Sequence, residues 1–328
     1  MRRPGDEAVF VETAARLHFG VLDLRGDAGR WFGGLGAAAP APLLVVSAES
    51  ASEGEPVTAA GDDAARAALF ASRYLSHYGI RDGARIHVHQ ALPAHSGLGS
   101  GTQLALAVAR ALAELHDLPV EAPLLAAAVG RARRSAVGTW TFAEGGFVVE
   151  GGRRRDVEAC GPLIARLPFP DDWRCVLAIP DRTAGGLSGA AEEAVFATLP
   201  QPSERDVEKV SHLVLMMMLP AVAENDLPGF GAALTEVQQI TGRWFASVQG
   251  GAFASGPSAE LVTRMTEWGA HGVGQSSWGP AVYGIVSGDE AARRLSDQVR
   301  ATLGGAGCVF DGPFRAHGAR VWRGARAG

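Results

Sequence analysis

The chain has 328 residues, 47% hydrophobic and 20% charged, which is enough for one large or two ordinary domains with a sizeable core. Its formal net charge of −5 argues against a nucleic-acid-binding protein, which would carry a basic stripe. Three widely spaced cysteines make neither a disulfide framework nor a paired zinc motif, and no apolar run reaches the length of a membrane span. The first residues show no apolar signal segment, so we expect a cytoplasmic protein with reduced thiols that binds neither nucleic acid nor membrane.

The first half of the chain alternates predicted strands with predicted helices. Hydrophobic periodicity predicts strands at 8–24, 43–47 and 85–90, and helices at 62–78, 102–116 and 123–134. A glycine-rich stretch at 26–36 predicts a turn or lid, and two Gly-Gly pairs predict a hairpin-like region at 135–152. The charged, proline-rich stretch 153–172 predicts a boundary, which divides the chain into domains 1–165 and 166–328.

The second half has longer helices and shorter strands. Strands are predicted at 173–179, 281–286, 308–310 and 319–322, and helices at 190–198, 203–223, 226–245, 258–269 and 289–303. A loop is predicted at 180–189, and a second glycine loop at 272–279. The mixture of elements predicts an α+β fold in both halves.

The loop between strand 85–90 and helix 102–116 is the most distinctive stretch. It consists of Ser96, Gly97, Leu98, Gly99, Ser100, Gly101 and Thr102. Glycines let the backbone approach a ligand, and the first amides of the following helix favour an anion. The loop lacks the Gly-Lys-Ser/Thr ending of a Walker loop and the glycine spacing of a dinucleotide site. It predicts a phosphate or pyrophosphate site, with an ordinary helix cap at Ser100 or Gly101 as the alternative.

Three segments carry a resemblance to a known superfamily. They are Arg16–Leu24, Gly97–Leu104 and Gly272–Pro280, and the shorter stretches 145–149 and 186–189 also fit. Together they resemble the GHMP kinase superfamily and, within it, a non-kinase branch, the β-ribofuranosylaminobenzene 5′-phosphate synthases. The resemblance spans nearly the whole chain, and the endings Gly-Thr-Gln and Gly-Gln-Ser-Ser-Trp-Gly-Pro are its most specific parts.

The resemblance implies a fold and a reaction. The fold would be a GHMP-kinase-like pair of halves: one like ribosomal protein S5 domain 2, the other ferredoxin-like, with the ligand between them. The reaction would condense phosphoribosyl pyrophosphate with 4-aminobenzoate or 4-hydroxybenzoate, with loss of CO2 and pyrophosphate. The product would enter tetrahydromethanopterin biosynthesis in one-carbon metabolism, and a homodimer and Mg²⁺ would be expected.

The implied reaction assigns a role to the polar residues of these segments. Loop 97–103, including Gln103, would hold the leaving pyrophosphate together with Mg²⁺, and Asp23 or Glu144 would help to bind that metal. Arg16 or Arg134 would clamp the carboxylate of the aromatic acid. His18 would move a proton or hydrogen-bond the acceptor, making His18, Asp23 and Arg16 the catalytic candidates.

The remaining candidates would surround the aromatic acid. Trp278 and Phe19 would supply an apolar environment for CO2 release, and Gln275, Ser276 and Ser277 would contact the ligand. Each has a plain structural alternative, which is packing for the tryptophan, a satisfied core position for His18 and self-capping of the loop for Gln275 and Ser276.

Two other functions remain open from the sequence. The first is an ATP-dependent small-molecule kinase of the same fold, although the stretch 135–142 has no acidic residue and no lysine, and Lys209 is the only lysine in the chain. The second is a non-catalytic protein that kept the fold and binds the ligand without turnover. ATP consumption would distinguish the kinase, and sugar-phosphate binding without turnover would distinguish the binding protein.

Overall fold

The computed structural model describes residues 7–181, 194–196 and 198–325. The first part comprises β1 (Glu7–Asp23), β2 (Arg30–Glu53), β3 (Thr58–Gly61), α1 (Ala64–His77), β4 (Asp82–Gln90), α2 (Ser100–Leu115), α3 (Ala122–Ala128), α4 (Val137–Glu144), β5 (Phe147–Glu150), β6 (Arg153–Arg154) and β7 (Leu163–Leu167). The second part comprises β8 (Trp173–Pro180), α5 (Glu204–Leu213), a π-helical turn (Val214–Met218), α6 (Leu219–Glu224), α7 (Leu227–Trp244), α8 (Ala246–Gln249), α9 (Pro257–Glu267), β9 (Gly272–Gln275), β10 (Val282–Ser287), α10 (Asp289–Leu303), β11 (Gly307–Pro313) and β12 (Arg320–Ala325).

The larger sheet has eight strands and draws on both ends of the chain. Its main path runs β12-β1-β2-β4-β3, while β5 pairs with β2 and β7, and β6 pairs with β2. β12 lies antiparallel to β1, with Glu7 opposite Ala325. The predicted ranges 1–165 and 166–328 therefore share this sheet, because its outer strand comes from the second range.

Helix α2 packs against this sheet and lies in the middle of the first half. Its alanine-rich sequence is buried on almost every side, with Leu104, Leu106 and Leu112 at 1% exposure or less. Small side chains allow such close packing, and each buried leucine stabilises the fold by about 1.5–3 kcal/mol. Leu17 and Phe19 of β1 enter the same core. Their period-two spacing leaves the intervening residues of β1 to face the other way.

The second sheet is antiparallel and has the order β11-β8-β10-β9, with α7 packed against β9 and α9 and α10 also against this sheet. One glutamine of α7 connects the two sheets. Gln238 Nε2 donates a hydrogen bond to the Phe19 carbonyl of β1 (2.6 Å), and Gln238 Oε1 accepts one from the Gln275 amide of β9 (2.9 Å). Since Gln238 is buried, these bonds fix the distance between the two halves.

The structure corrects four sequence-based predictions of elements. The glycine-rich stretch predicted as a turn or lid at 26–36 is mostly strand, because β2 begins at Arg30. The helix predicted at 123–134 ends at Ala128, because Gly130 adopts φ +69° and the Arg131 amide donates back to the Ala126 carbonyl (2.7 Å). The hairpin-like region predicted at 135–152 contains helix α4 before strand β5. The glycine loop predicted at 272–279 begins as strand β9.

Part of the predicted second half lies outside the described residues. This applies to most of the loop at 180–189, to the stretch 186–189 and to most of the helix at 190–198. Among the helices that the structure describes, none combines the length and the apolar character needed to cross a membrane.

Candidate active site

A cavity lies between the two halves of the molecule. Its lining comes from β1, the start of α2, the segment 131–135, α7, the segment 245–252 and the turn after β9. Four arginines supply its positive charge: Arg16, Arg131, Arg133 and Arg134. No aspartate, glutamate or lysine belongs to the described lining. Such a lining favours anionic ligands, because each guanidinium can bind phosphate or carboxylate through two hydrogen bonds.

Strand β1 brings Arg16 and His18 to this cavity. The pairing of β1 with β2 shifts register between Ala14 and Arg16 and again between His18 and Gly20. β-bulges of this kind bend a strand and redirect its side chains. Arg16 and His18 line the cavity, whereas Phe19 packs against Tyr283 with the ring centroids 4.9 Å apart. The prediction that Phe19 surrounds the ligand is therefore wrong, because its side chain is fully buried in the core.

The glycine loop is held from both sides. The Arg16 amide donates to the Leu98 carbonyl (2.9 Å), and Ser276 Oγ donates to the Gly97 carbonyl (2.7 Å). Gly97 has φ +82°, and a Cβ at this position would lie 2.1 Å from the Ser276 carbonyl oxygen. Glycine is therefore required here for the close approach of the turn after β9. Leu98 is fully buried and anchors the loop in the core.

Two arginines flank the N-terminus of α2. Gly99 precedes the helix with φ +70°, and its carbonyl accepts the amides of Thr102 and Gln103. A Cβ on Gly99 would lie 3.2 Å from Arg16 Nε, and one on Gly101 would lie 3.0 Å from Arg131 Nη2. The positive end of the helix dipole and two guanidinium groups thus meet at the loop, and together they favour a multiply charged anion.

Several predicted ligand contacts instead hold the loop and its surroundings in place. Gln103 is fully buried, accepting from Thr13 Oγ1 (2.9 Å) and donating to the Gly138 carbonyl (2.9 Å). Ser96 Oγ donates to the Pro93 carbonyl (2.7 Å). Both side chains therefore bond to neighbouring groups of the protein, a use that was not among the alternatives considered for them.

The turn after β9 divides its residues between support and lining. Ser276 is fully buried, and its Oγ also accepts the His18 amide (2.9 Å). Gln275 borders the cavity, but its side chain is bonded to the protein. Its Oε1 accepts the Ala254 backbone amide (2.7 Å), and its Nε2 donates to the Ser277 carbonyl (2.9 Å). Ser277 and Trp278 line the cavity. The turn therefore shapes the cavity while it clamps the glycine loop.

An aromatic cluster forms another part of the lining. The ring of Trp278 lies 5.0 Å from that of Phe245 and 6.0 Å from that of Phe196, and Phe196 lies 5.9 Å from Phe32. Arg134 places its guanidinium carbon 5.2 Å from the centre of the Phe196 ring. Edge-to-face rings with a cation beside them suit a flat aromatic ligand that carries a carboxylate.

His18 is neutral at physiological pH. Burial, and then the charge of Arg16, lower the pKa of His18 from 6.5 to about 3. Its Nε2 lies 3.2 Å from Ser135 Oγ, at hydrogen-bond distance. The side chain is buried to 8% exposure and also borders the cavity. It can therefore exchange a proton or a hydrogen bond with a ligand, but it resists becoming an imidazolium.

Asp23 and Glu144 lie outside the cavity lining. Asp23 Oδ1 accepts the amides of Arg25 (2.6 Å) and Gly26 (3.0 Å), so it caps the turn between β1 and β2. Glu144 is exposed at the end of α4. Within the described residues, no group of three or more histidine, cysteine, aspartate or glutamate side chains could hold a metal ion. The two carboxylates predicted to bind Mg²⁺ are therefore not placed to hold the ion at the cavity.

Some cavity residues were not recognised from the sequence. Phe32, Phe196 and Phe245 come from distant segments and carry no shared motif. Ser135 follows the arginines directly, and behind it lies Glu150, which is fully buried. Glu150 directly follows the apolar run Phe147-Val148-Val149 in the sequence. A charged residue that continues a buried strand is unusual, because charged side chains are almost never fully buried without a partner, and this could have drawn attention to it.

The chain is similar to two family models and to several characterised proteins. The models are the GHMP kinases N terminal domain, matched over residues 63–141, and GHMP kinases C terminal, matched over residues 218–305. Beta-ribofuranosylphenol 5′-phosphate synthase of Methanothermobacter thermautotrophicus is 34% identical in an alignment of length 323 that covers 93% of this chain and 96% of that protein. Its namesake from Archaeoglobus fulgidus is 37% identical in an alignment of length 291 that covers 84% of this chain and 87% of its own.

A solved structure gives the corresponding likeness in three dimensions. Homoserine kinase from Cytophaga hutchinsonii superposes on this chain with a TM-score of 0.73 at 19% identity. The superposition covers 98% of this chain and 99% of the kinase. At this identity the likeness concerns the fold.

Proposed function

We propose that this chain, which belongs to the GHMP kinase superfamily and within it to the family of the archaeal beta-ribofuranosylphenol 5′-phosphate synthases, is a decarboxylating phosphoribosyl transferase of tetrahydromethanopterin biosynthesis. The donor is phosphoribosyl pyrophosphate, and the acceptor is 4-hydroxybenzoate or its 4-amino analogue. The carboxylate-bearing ring carbon bonds to C1 of the ribose, pyrophosphate leaves C1, and CO2 leaves the ring. The observation that carries the proposal is the arginine-lined cavity, because both substrates are anions.

The glycine-loop end of the cavity suits the pyrophosphate of the donor. Its backbone is fixed in advance by β1 and by Ser276, so it needs no rearrangement as negative charge develops on the leaving group. Arg16 and Arg131 add charge-assisted hydrogen bonds on either side of the helix N-terminus. Mg²⁺ would enter as part of the sugar diphosphate substrate, since the described lining offers it no carboxylate.

The aromatic end of the cavity suits the acceptor. Phe245 and Trp278 would hold the ring, and Arg134 would bind its carboxylate until the new carbon–carbon bond forms. The apolar rings then favour release of uncharged CO2. The relatives are named for a phenol, which favours 4-hydroxybenzoate over the 4-amino compound as the acceptor.

His18 would serve as a neutral acceptor of the hydroxyl proton. Removing that proton pushes electrons towards the opposite ring carbon, which is the carbon that attacks the ribose. The proton returns to the oxygen when CO2 leaves, so the reaction consumes no net base. A histidine with a lowered pKa is already in the basic form at neutral pH.

The experiment measures CO2 release from carboxyl-labelled 4-hydroxybenzoate and 4-aminobenzoate, with Mg²⁺ and phosphoribosyl pyrophosphate. We expect label to be lost only when the sugar diphosphate is present, with one pyrophosphate formed for each CO2. A parallel reaction contains ATP in place of the sugar diphosphate. ATP consumption without label loss would overturn the proposal in favour of a kinase, and ligand binding without turnover would favour a non-catalytic protein.

A further inference from the structure

A line of hydrogen-bonding groups leads from the cavity to a buried carboxylate. His18 and Ser135 border the cavity, and His18 Nε2 lies 3.2 Å from Ser135 Oγ. Glu150, which ends strand β5 and is fully buried, lies behind Ser135: its carboxylate accepts the amide of the next residue, Ala136 (3.0 Å), and hydrogen bonding from the Ser135 side chain is among the causes that lower its pKa. Burying a carboxylate costs free energy, which its hydrogen bonds must offset.

The backbone around Glu150 holds its side chain in one place. One carboxylate oxygen accepts the Ala136 amide (3.0 Å), and the other accepts the Gly152 amide (2.7 Å). Both oxygens are therefore anchored, and the carboxylate cannot swing towards the cavity. The Ser135 side chain therefore lies between the fixed carboxylate and His18.

The line has charged or titratable neighbours at both ends, which are Arg16, Arg131, Arg133 and Arg134 at the cavity and Arg30 and Cys160 at Glu150. Arg30 attracts Glu150, and the Cys160 thiol feels the charge of Glu150. Burial raises the pKa of Glu150 to about 7, although the two amides, Ser135 and Arg30 each oppose that rise. At the cavity, Arg16 is the charge that acts on His18.

We propose that Glu150 is a positioning residue that acts through Ser135 to set the tautomer of His18 and to receive the proton that His18 takes from the acceptor hydroxyl. This inference rests on the proposed function, because it gives the hydroxyl proton of a 4-hydroxybenzoate-type acceptor its destination. It adds two residues, Ser135 and Glu150, to those that serve the reaction.

The hydrogen-bond roles follow from what each group can donate. An ionised carboxylate only accepts, so the Ser135 hydroxyl donates to Glu150, and its oxygen accepts from His18 Nε2–H and from the Val137 amide (3.3 Å). Nδ1 of His18 is then the basic nitrogen available to a ligand. When Glu150 is protonated, it can donate to Ser135, which donates to Nε2, and the proton of His18 resides on Nδ1.

The proton transfer balances at every bond. The acceptor O–H proton moves to Nδ1, the Nε2 proton moves to Ser135 Oγ, and the former hydroxyl proton of Ser135 moves to Glu150. His18 ends neutral with its tautomer reversed, which avoids the imidazolium that burial and Arg16 disfavour. The same three transfers run backwards when CO2 leaves and the phenol oxygen regains its proton.

The first test observes the tautomer of His18 directly. Protein labelled with ¹⁵N-histidine is titrated from pH 6 to 8.5 without substrate, and loss of one signal set in His18→Gln assigns the residue among the nine histidines. We expect the Nδ1–H form of His18 to give way to the Nε2–H form near pH 7. Ser135→Ala should abolish this pH dependence, Ser135→Thr should retain it, and Glu150→Gln should leave one tautomer at all pH values.

The second test measures CO2 release across the same pH range in the same variants. Ser135→Ala should lower kcat by about 100-fold, as for loss of a general base, and should remove the rise in rate near pH 7, while Ser135→Thr restores both. Circular dichroism and thermal melting establish that each variant is folded.

The two tests separate the relay from the reaction. A His18 tautomer and a pH–rate profile that are the same in folded Ser135→Ala as in the unaltered protein would overturn the relay. An unaltered protein that releases no CO2, yet whose His18 tautomer follows pH through Ser135, would overturn the reaction and keep the hydrogen-bond coupling.

Discussion

The two ends of the cavity differ in how they are built. The glycine-loop end is made from consecutive residues whose backbone is fixed by hydrogen bonds from β1 and the turn after β9. The aromatic end is made from the rings of Phe32, Phe196, Phe245 and Trp278, which lie far apart in the chain. Both ends hold arginines, but only the first adds a helix dipole.

This difference shows that one active site can combine two kinds of precision. At the glycine-loop end, position is set by backbone geometry, so a single added methyl group can remove it. At the aromatic end, position is set by packing, which tolerates changes of side chain more gradually. Mutations at the two ends should therefore differ both in size of effect and in the substrate affected.

The largest effect is expected for Gly97→Ala. The new Cβ would meet the Ser276 carbonyl at 2.1 Å in a residue with φ +82°, so the two loops must separate. We expect CO2 release to fall by more than about 100-fold and the free energy of unfolding in urea to fall by about 2–4 kcal/mol.

The matched control for that variant is Gly101→Ala. Its Cβ would meet only the movable ends of Arg131 and Arg66, at 3.0 and 3.4 Å. We expect unchanged stability with a moderate rise in the KM for phosphoribosyl pyrophosphate. Equal stability and activity in the two variants would contradict the clamped loop.

Arg131→Gln should affect the donor selectively. Loss of a charged hydrogen-bond donor beside the helix N-terminus removes about 1.5–3 kcal/mol of binding, which is about a 10- to 100-fold rise in the KM for phosphoribosyl pyrophosphate. Steady-state kinetics with each substrate varied in turn measure this effect. Arg294→Gln, at an exposed arginine of α10 that pairs with Glu290 outside the cavity, is the control and should change either KM little. A rise confined to the aromatic acid would reverse the assignment of the two ends.

Trp278→Leu should affect the acceptor selectively and less strongly. An aromatic contact contributes about 0.5–1.5 kcal/mol beyond burial, so the KM for the aromatic acid should rise about 3- to 10-fold. The KM for phosphoribosyl pyrophosphate should stay within about twofold. Trp268→Leu, outside the cavity, serves as the control for loss of a tryptophan. If both tryptophan variants behave alike, the aromatic cluster does not bind the acceptor.

The last prediction concerns the pH dependence of stability rather than substrate binding. The pKa of His18 is about 3 in the folded protein and 6.5 in the unfolded chain, so as the pH falls His18 is protonated in the unfolded chain before it is protonated in the folded protein. Stability is therefore lost as the pH falls from 6.5 towards 3. This group alone contributes a slope of up to about 1.4 kcal/mol per pH unit. Glu150, with its pKa raised to about 7, opposes it between pH 4.5 and 6.5, since its contribution to stability is lost as the pH rises.

Urea unfolding of His18→Asn at several pH values measures the first contribution. Relative to the unaltered protein, this variant should lose the part of the slope that His18 supplies between pH 3 and 6.5. Glu150→Gln should change the slope in the opposite sense between pH 4.5 and 7. If the free energy of unfolding varies with pH in the same way in the variants and in the unaltered protein, burial does not shift the pKa of either group as the folded structure indicates.

The resemblance implied the fold, and local sequence located the strand β1 and the glycine loop before α2. The GHMP kinase fold implied by the resemblance is confirmed, and the alternation of Arg16 and His18 with Leu17 and Phe19 on β1 separates cavity from core. The alternation on β1 and the glycine loop depend on residues that lie close together in the sequence. Periodicity and helix-terminus chemistry are sufficient to predict such features.

The aromatic end and the carboxylates depended on tertiary structure. Phe196 and Phe245 meet Trp278 only after α7 and β9 are packed together, and no local pattern specifies that contact. Asp23 had the chemistry of a metal ligand. In the structure it caps a turn instead, because the backbone amides of Arg25 and Gly26 donate to its carboxylate. The sequence alone could not distinguish these uses of one carboxylate.

The pairing of β12 with β1 has a consequence for how the protein is made. During translation, β1 and β2 emerge early, but the outer edge of β1 has no partner until residues 320–325 have been synthesised. An unpaired edge strand is a template for association with other chains. Residues 320–325 must therefore be synthesised before this edge is covered. We expect the nascent chain to be prone to aggregation until then.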